Sequence, residues 1–436
     1  MKHRFPFPPA VVIEKALRFG QNYVNCFMTT NNGTPVPEGG FRNLLAFGNS
    51  YAENKTGSPG VSGPIIQADQ VFSYLKKLRK NAEGLICGYI GYDVKNEVEN
   101  LDSNNPTYIE FPAYRFFVPE YVIEFFGSEI EITGPVPHFV IDQIYNQPLD
   151  AKLGLLYASI AEPDAGISKD EYMQNVETIR AHIAAGRVYE MNYCLQFKAK
   201  VTGFEPLSAW LKMNRDAAAP FSAFYKFGGK YILSTSPERF LKKTGTTLLS
   251  QPIKGTAPRS NSPARDEEIK ANLLNSEKER AENMMIVDLV RNDLAKSAVT
   301  GSTHVSEMFG IYSFKYVHQM ISSVKARLKR SVPYTAAIAN AFPPGSMTGA
   351  PKIAAMELIE ELESFKRGPY SGTLGYIDHN TDFDFNVLIR SVFYDAESEK
   401  LSFCAGGAIT WDSEPEAEYE EIMLKTMGIR QALGLA

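Results

Sequence analysis

The 436 residues carry 45 Lys and Arg against 50 Asp and Glu, a formal net charge of -5, with 44% hydrophobic and 22% charged residues. A chain of this length buries a large core and has room for two or three domains or one oversized two-lobed one. The charge balance gives no reason to expect nucleic acid or an anionic membrane as partner, and no apolar run approaches the ~18 residues of a membrane-spanning helix.

The opening MKHRFPFPPAV puts prolines where a signal peptide needs an apolar helix, so the expected location is the cytoplasm. Cys26, Cys87, Cys194 and Cys404 are scattered without paired spacing, which fits four reduced thiols better than disulfides or a zinc site. Residues 1–161 read as a first lobe of strands and turns. Within it, Tyr121–Phe126 and 130–136 form a hairpin across Gly127-Ser128. Residues 88–93, GYIGYD, read as an aromatic-glycine strand, and 53–63, ENKTGSPGVSG, as a mobile loop.

Residues 162–166 mark a junction, and 162–436 form the second region. Ser168 with Glu171 makes a capping-box pattern, followed at helical spacing by Tyr172, Val176, Ile179 and Ile183. Residues 189–197 enter a strand. Phe221–Phe227 and 230–234 flank Gly228-Gly229 as a hairpin and lead into Ser236-Pro237-Glu238-Arg239-Phe240. A strand through 248–253 then delivers Lys254, between Pro252-Ile253 and Gly255-Thr256. An amine in apolar surroundings loses solvation of its charged form, which lowers its pKa and favours a nucleophilic neutral state. Gly255 leaves room for a ligand against the backbone.

Two pairs of glutamates stand out. Glu279 and Glu282 are three apart in a helical stretch, and Glu418 and Glu421 are three apart in the last helix, with Lys425 four further on. At ~100° per residue the last three share an arc of roughly 60°. Two carboxylates on each of two helices suit a hard cation such as Mg²⁺. Spacing alone also allows a plainer account: Ser276 and Glu279 make a capping box, and Glu421 with Lys425 an i,i+4 ion pair. GSMTGAPK at 345–352 has neither the spacing of a phosphate loop nor a place for Pro351 in one, so it reads as packing ahead of a helix from Lys352. No ATP site is expected.

The stretches QPIKGTAPR (251–259), SPERF, IVDLVRNDL (286–294), GSMTGAPK, AGGAIT (405–410) and EPEAEYEE together resemble the chorismate-utilising enzymes. The resemblance is dense from about Ile167 onward and thinner before it. It implies a two-lobed α/β (α+β) fold of large, mostly antiparallel sheets packed together with helices outside. The PIKGT form is similar to the aminodeoxychorismate synthase large-subunit branch, which makes 4-amino-4-deoxychorismate for 4-aminobenzoate and folate. Anthranilate synthases usually carry alanine where Lys254 stands. They remain the enzymatic alternative; a non-catalytic regulator binding chorismate or an aromatic amino acid is the alternative of another class. The retained Glu238, Lys254 and glutamate pairs argue against it.

The resemblance also implies roles. Lys254 is the covalent nucleophile and Glu238 the general acid/base. Glu282 and Glu421 are direct magnesium ligands, with Glu279 and Glu418 behind them. Arg390, in an apolar strand over 386–392, and Tyr376 hold one chorismate carboxylate with Gly406, Gly407 and Lys425. The ring carboxylate lies on magnesium beside Gly255 and Thr256, with His318 close to the ring. Isochorismate-forming relatives place a water-activating lysine near the start of the strand after Tyr189; here Glu190 stands there, where amine-using relatives carry glutamine. The tryptophan-binding stretch of the anthranilate branch is matched only by Leu44-Leu45-Ala46-Phe47, without its glutamate. No glutaminase residues are present, so ammonia is expected from a separate glutamine amidotransferase subunit.

Overall fold

The computed structural model describes residues 2–6, 9–49, 70–148 and 159–435. The loop expected over 53–63 lies outside them. The strands form two antiparallel sheets, one of 12 strands and one of 9, with helices outside. Strands from residues 1–161 enter both. Asn25–Thr30 pairs with Phe221–Phe227 in the larger sheet, and Ile86–Ile90 pairs with Thr373–Ile377 in the smaller. The two expected regions are therefore joined by continuous hydrogen-bond ladders.

Side-chain alternation builds two cores from one strand. Along Phe221–Phe227, residues Phe221, Ala223, Tyr225 and Phe227 face a core shared with Leu374 and Phe385 of the smaller sheet, whereas Phe224 faces the opposite side. That second core lies under the helices Lys169–Ala184, Pro206–Ala217 and Pro415–Leu433, which supply Tyr172, Trp210 and Ile422. Trp210 is fully buried and spends its one donor on the Ser234 carbonyl at 3.2 Å.

Several local signals act as read. Ser168 caps Lys169–Ala184 by accepting from the Glu171 N–H, and Ser276 caps Glu277–Ser297 by accepting from that of Glu279. The hairpins Tyr121–Phe126 with Glu129–Thr133 and Phe221–Phe227 with Lys230–Ser236 form as expected. GYIGYD is extended only through Ile90. Gly91 N–H then bonds Ala113 and Tyr92 N–H bonds Gly368, turning the chain into a short 3-10 helix, Tyr92–Val94.

Arg390 departs from expectation more sharply. Phe383–Val387 belongs to the smaller sheet and Ser391–Asp395 to the larger, so the chain changes sheets between them. Arg390 sits in that crossing with φ of 51° rather than inside a strand.

Candidate active site

The edge strand of the smaller sheet, Ile253–Pro258, carries Lys254 at a register shift where Gly255 takes φ of +94°. The strand Glu190–Thr202, close to an edge of the larger sheet, begins with Glu190. The two meet across the sheets: Lys254 Nζ donates to Glu190 Oε1 at 2.7 Å, with side chains 11% and 1% exposed. This corrects the expectation of a lowered amine pKa. Burial does pull it down, but the attraction and hydrogen bond of Glu190, with Glu282 and Glu238 further off, outweigh burial and raise it. The resting amine is an ammonium.

Glu238 is buried in the turn after Lys230–Ser236, and its Oε1 accepts from Ser346 Oγ at 2.6 Å. Burial pushes its carboxyl up to about 7, against the opposing pull of Ser346 and Lys254. A carboxyl half-protonated near neutrality, beside a buried ammonium, is suited to proton donation and return. Ser346 comes from GSMTGAPK, whose Lys352 is itself buried against Asp293 at 2.5 Å and the carbonyls of Ala341 and Pro343. That stretch shapes the site through Ser346 and anchors itself through Lys352.

The four paired glutamates come from Glu277–Ser297 and Pro415–Leu433. Burial raises Glu279, Glu418 and Glu282, the last to about 7, and the carboxylates raise one another: Glu279 feels Glu421, Glu282 feels Glu279, and Glu418 feels Glu421. Burial raises Glu421 too, yet Lys425 at 2.6 Å outweighs it and the net direction is down. Among the described residues, no three His, Cys, Asp or Glu side chains gather into a ready metal cage. The donors nevertheless fit a hard divalent cation, being carboxylate oxygens whose mutual repulsion such an ion would relieve. The space in front of them is kept open by glycine. A Cβ at Gly255 would lie 3.0 Å from Glu279 Oε2, and one at Gly407 would lie 3.1 Å from Glu418 Oε2.

Of the expected carboxylate clamp, three members meet. Lys425 Nζ donates to the Gly406 carbonyl at 2.9 Å, and Arg390 Nη1 to the Lys425 carbonyl at 2.5 Å. Half-buried Arg390 forms no ion pair among the described residues, and burial lowers its pKa. A desolvated guanidinium in that condition favours an anionic ligand.

Tyr376 is placed elsewhere. Its hydroxyl accepts from the Arg42 N–H at 3.2 Å, with Phe41 beside the ring. The tyrosine whose charge Arg390 feels is Tyr370, fully buried with its hydroxyl 3.7 Å from Cys194 Sγ. His318 is buried and both ring nitrogens are engaged, Nδ1 with Ser313 at 2.8 Å and Nε2 with Asp266 at 2.9 Å, so no ring nitrogen is left for a ligand. Thr256 is exposed, paired across the ladder with Gln319.

Sequence reasoning thus missed Tyr370 and the partnership of Glu190. Neither carries a local signal, since Glu190 lies 64 positions from Lys254 and on the other sheet.

Comparison with known proteins bears on this geometry. The family described as chorismate binding enzyme matches residues 52–431. The probable chloroplastic aminodeoxychorismate synthase of Oryza sativa subsp. japonica is 41% identical over 261 residues, 59% of this chain and 29% of that protein. The aminodeoxychorismate synthase component 1 of Klebsiella aerogenes is 35% identical over 355 residues, 80% of this chain and 77% of that one. The chain therefore spans less than a third of the rice protein. Among solved structures, anthranilate synthase component I from Streptococcus pneumoniae TIGR4 superposes with a TM-score of 0.75 over 98% of this chain and 92% of that one. At 24% identity that likeness shows the fold alone.

Proposed function

We propose that this chain, which belongs to the chorismate binding enzymes, converts chorismate and ammonia to 4-amino-4-deoxychorismate. The observation that carries the reading is the Lys254 amine, held between Glu190 and Glu238 where the anthranilate branch has no amine. In this account Glu238 gives its proton to the departing ring hydroxyl while the Lys254 nitrogen bonds to the ring, and water leaves. Ammonia then displaces the lysine, and Glu238 takes a proton back.

Arg390, Lys425 and the backbone at Gly406 and Gly407 bind and orient one carboxylate. Glu282 and Glu421, supported by Glu279 and Glu418, would hold Mg²⁺ at the other. When bound, Mg²⁺ would act as a Lewis acid that draws charge from the conjugated ring acid. Gly255 and Thr256 line the same space, and Tyr370 replaces Tyr376 behind Arg390. Residues 162–436 supply each of these groups, and 1–161 complete both sheets.

Ammonia comes, on this reading, from a separate glutamine amidotransferase subunit, and a separate lyase completes 4-aminobenzoate for folate. A cytoplasmic setting agrees with four free, buried cysteines. The experiment is to incubate the purified chain with chorismate, Mg²⁺ and ammonium salt. Detection of 4-amino-4-deoxychorismate by mass and chromatography supports the reading, and anthranilate in its place overturns it.

A further inference from the structure

Resting on that reading, one charge beside the paired glutamates has no part in it. Lys278 is the second residue of the helix Glu277–Ser297, where the positive end of the helix dipole disfavours a cation. Its pairing with Glu282 is also the weaker arrangement, since an i,i+4 pair is better with the glutamate first. A lysine that breaks two local rules at once serves something other than its helix.

Its charge reaches across the cleft. Burial raises Glu279, Glu282 and Glu418, and Lys278 pulls each of them back down. Burial also raises Glu421, where Lys425 supplies the main opposing pull and Lys278 adds to it. A single ammonium on the first helix thus offsets carboxylates on both. The other lysines that act on these acids, Lys254 and Lys425, are fastened. Lys254 is bound to Glu190 at 2.7 Å, and Lys425 to Glu421 at 2.6 Å and the Gly406 carbonyl at 2.9 Å. Lys278 instead approaches Glu282 Oε1 at 3.9 Å, beyond hydrogen-bond range, and its side chain is 60% exposed. It is free to leave for solvent at little cost.

We infer that Lys278 is a placeholder cation, screening the four glutamates while the metal is away and moving into solvent to give up its place to Mg²⁺. Without it, partly buried carboxylates would face one another with less compensation. An ordinary exposed pair between Lys278 and Glu282 would have no bearing on metal affinity. A placeholder competes for the same oxygens, so its removal should tighten metal binding.

The test is calorimetric titration of metal-stripped protein with Mg²⁺, without chorismate and at low ionic strength, on wild type, Lys278→Gln and Lys278→Arg. Lys278→Gln should bind Mg²⁺ about 3- to 10-fold more tightly than wild type, as expected for removing one charge beside a divalent ion across solvent. Lys278→Arg keeps the charge and should stay within about twofold of wild type. The gain in Lys278→Gln should shrink at high salt, which screens an exposed charge. The rise in melting temperature that Mg²⁺ produces should be larger in Lys278→Gln than in wild type, because tighter binding to the folded state stabilises it more. Wild type that binds Mg²⁺ while Lys278→Gln binds it equally or less tightly overturns the role of Lys278 alone. Mg²⁺ binding by neither wild type nor Lys278→Gln overturns the metal site and the placeholder together.

Discussion

Ser346 Oγ donates to Glu238 Oε1 at 2.6 Å, joining a glycine-rich turn to a buried acid more than a hundred residues away in sequence. This hydrogen bond favours the charged form, so it holds the Glu238 pKa below where burial alone would set it. Ser346→Ala should therefore raise that pKa above about 7. Glu238 would stay protonated to higher pH, and the alkaline limb of kcat/KM should move upward. A limb that stays fixed or moves down would show that Glu238 is not the titrating acid.

The glutamates of the two helices give a second prediction. Glu282→Gln and Glu421→Gln each remove a charged oxygen ligand, so turnover with chorismate and ammonium should fall below about a hundredth of wild type while the fold is retained. Full activity in either variant, or in wild type with excess chelator, would remove the metal from the mechanism.

Glu282 also sets a pH dependence of stability. Its folded pKa is about 7 against an ordinary 4.5, so the folded state binds the proton more tightly than the unfolded chain. The stability it contributes is complete below about 4.5 and is lost as pH rises through about 7. In metal-free buffer, Glu282→Gln should be more stable than wild type at pH 8 by on the order of 2 kcal/mol, an advantage that disappears by about pH 5. Urea unfolding at the two pH values measures this, and a difference independent of pH contradicts it.

How much of this was legible in the sequence depended on distance along the chain. The caps at Ser168 and Ser276 and the hairpin Phe221–Ser236 are settled within a few residues, and they form as read. Sequence pattern places Arg390 inside a strand because Leu388 and Ile389 prolong an apolar run past the strand's end, and only the crossing between sheets reveals the break. Tyr376 and Tyr370 are equally aromatic and six positions apart; the sheet register separates them, since Tyr376 pairs with Cys87 and Asp384 inside the smaller sheet. The raised pKa of Lys254 was invisible because its cause is a glutamate on the other sheet.

Glu363 offers a structural prediction away from the chemistry. Its carboxylate pairs with Arg367 at 2.6 Å and accepts from the Cys194 N–H at 2.9 Å, with both side chains at most 1% exposed. Glu363→Ala would strand a buried guanidinium and an amide, so unfolding should become easier by about 3–5 kcal/mol. Denaturant titration checks this, and a loss under about 1 kcal/mol would mean that the pair is not held as described.

The central claim is that Lys254 is a nucleophile, and the most direct measurement searches for its adduct. Wild type is incubated with chorismate and Mg²⁺ without ammonia, digested, and the Lys254 peptide weighed; Lys254→Ala is assayed in parallel for its products. The account predicts an added mass on Lys254 in wild type. The variant should still fold and bind chorismate, because Glu238, Arg390 and both glutamate pairs remain, but it should retain at most slow direct amination, with some anthranilate among its products. No adduct in wild type together with a full rate in Lys254→Ala would contradict the claim.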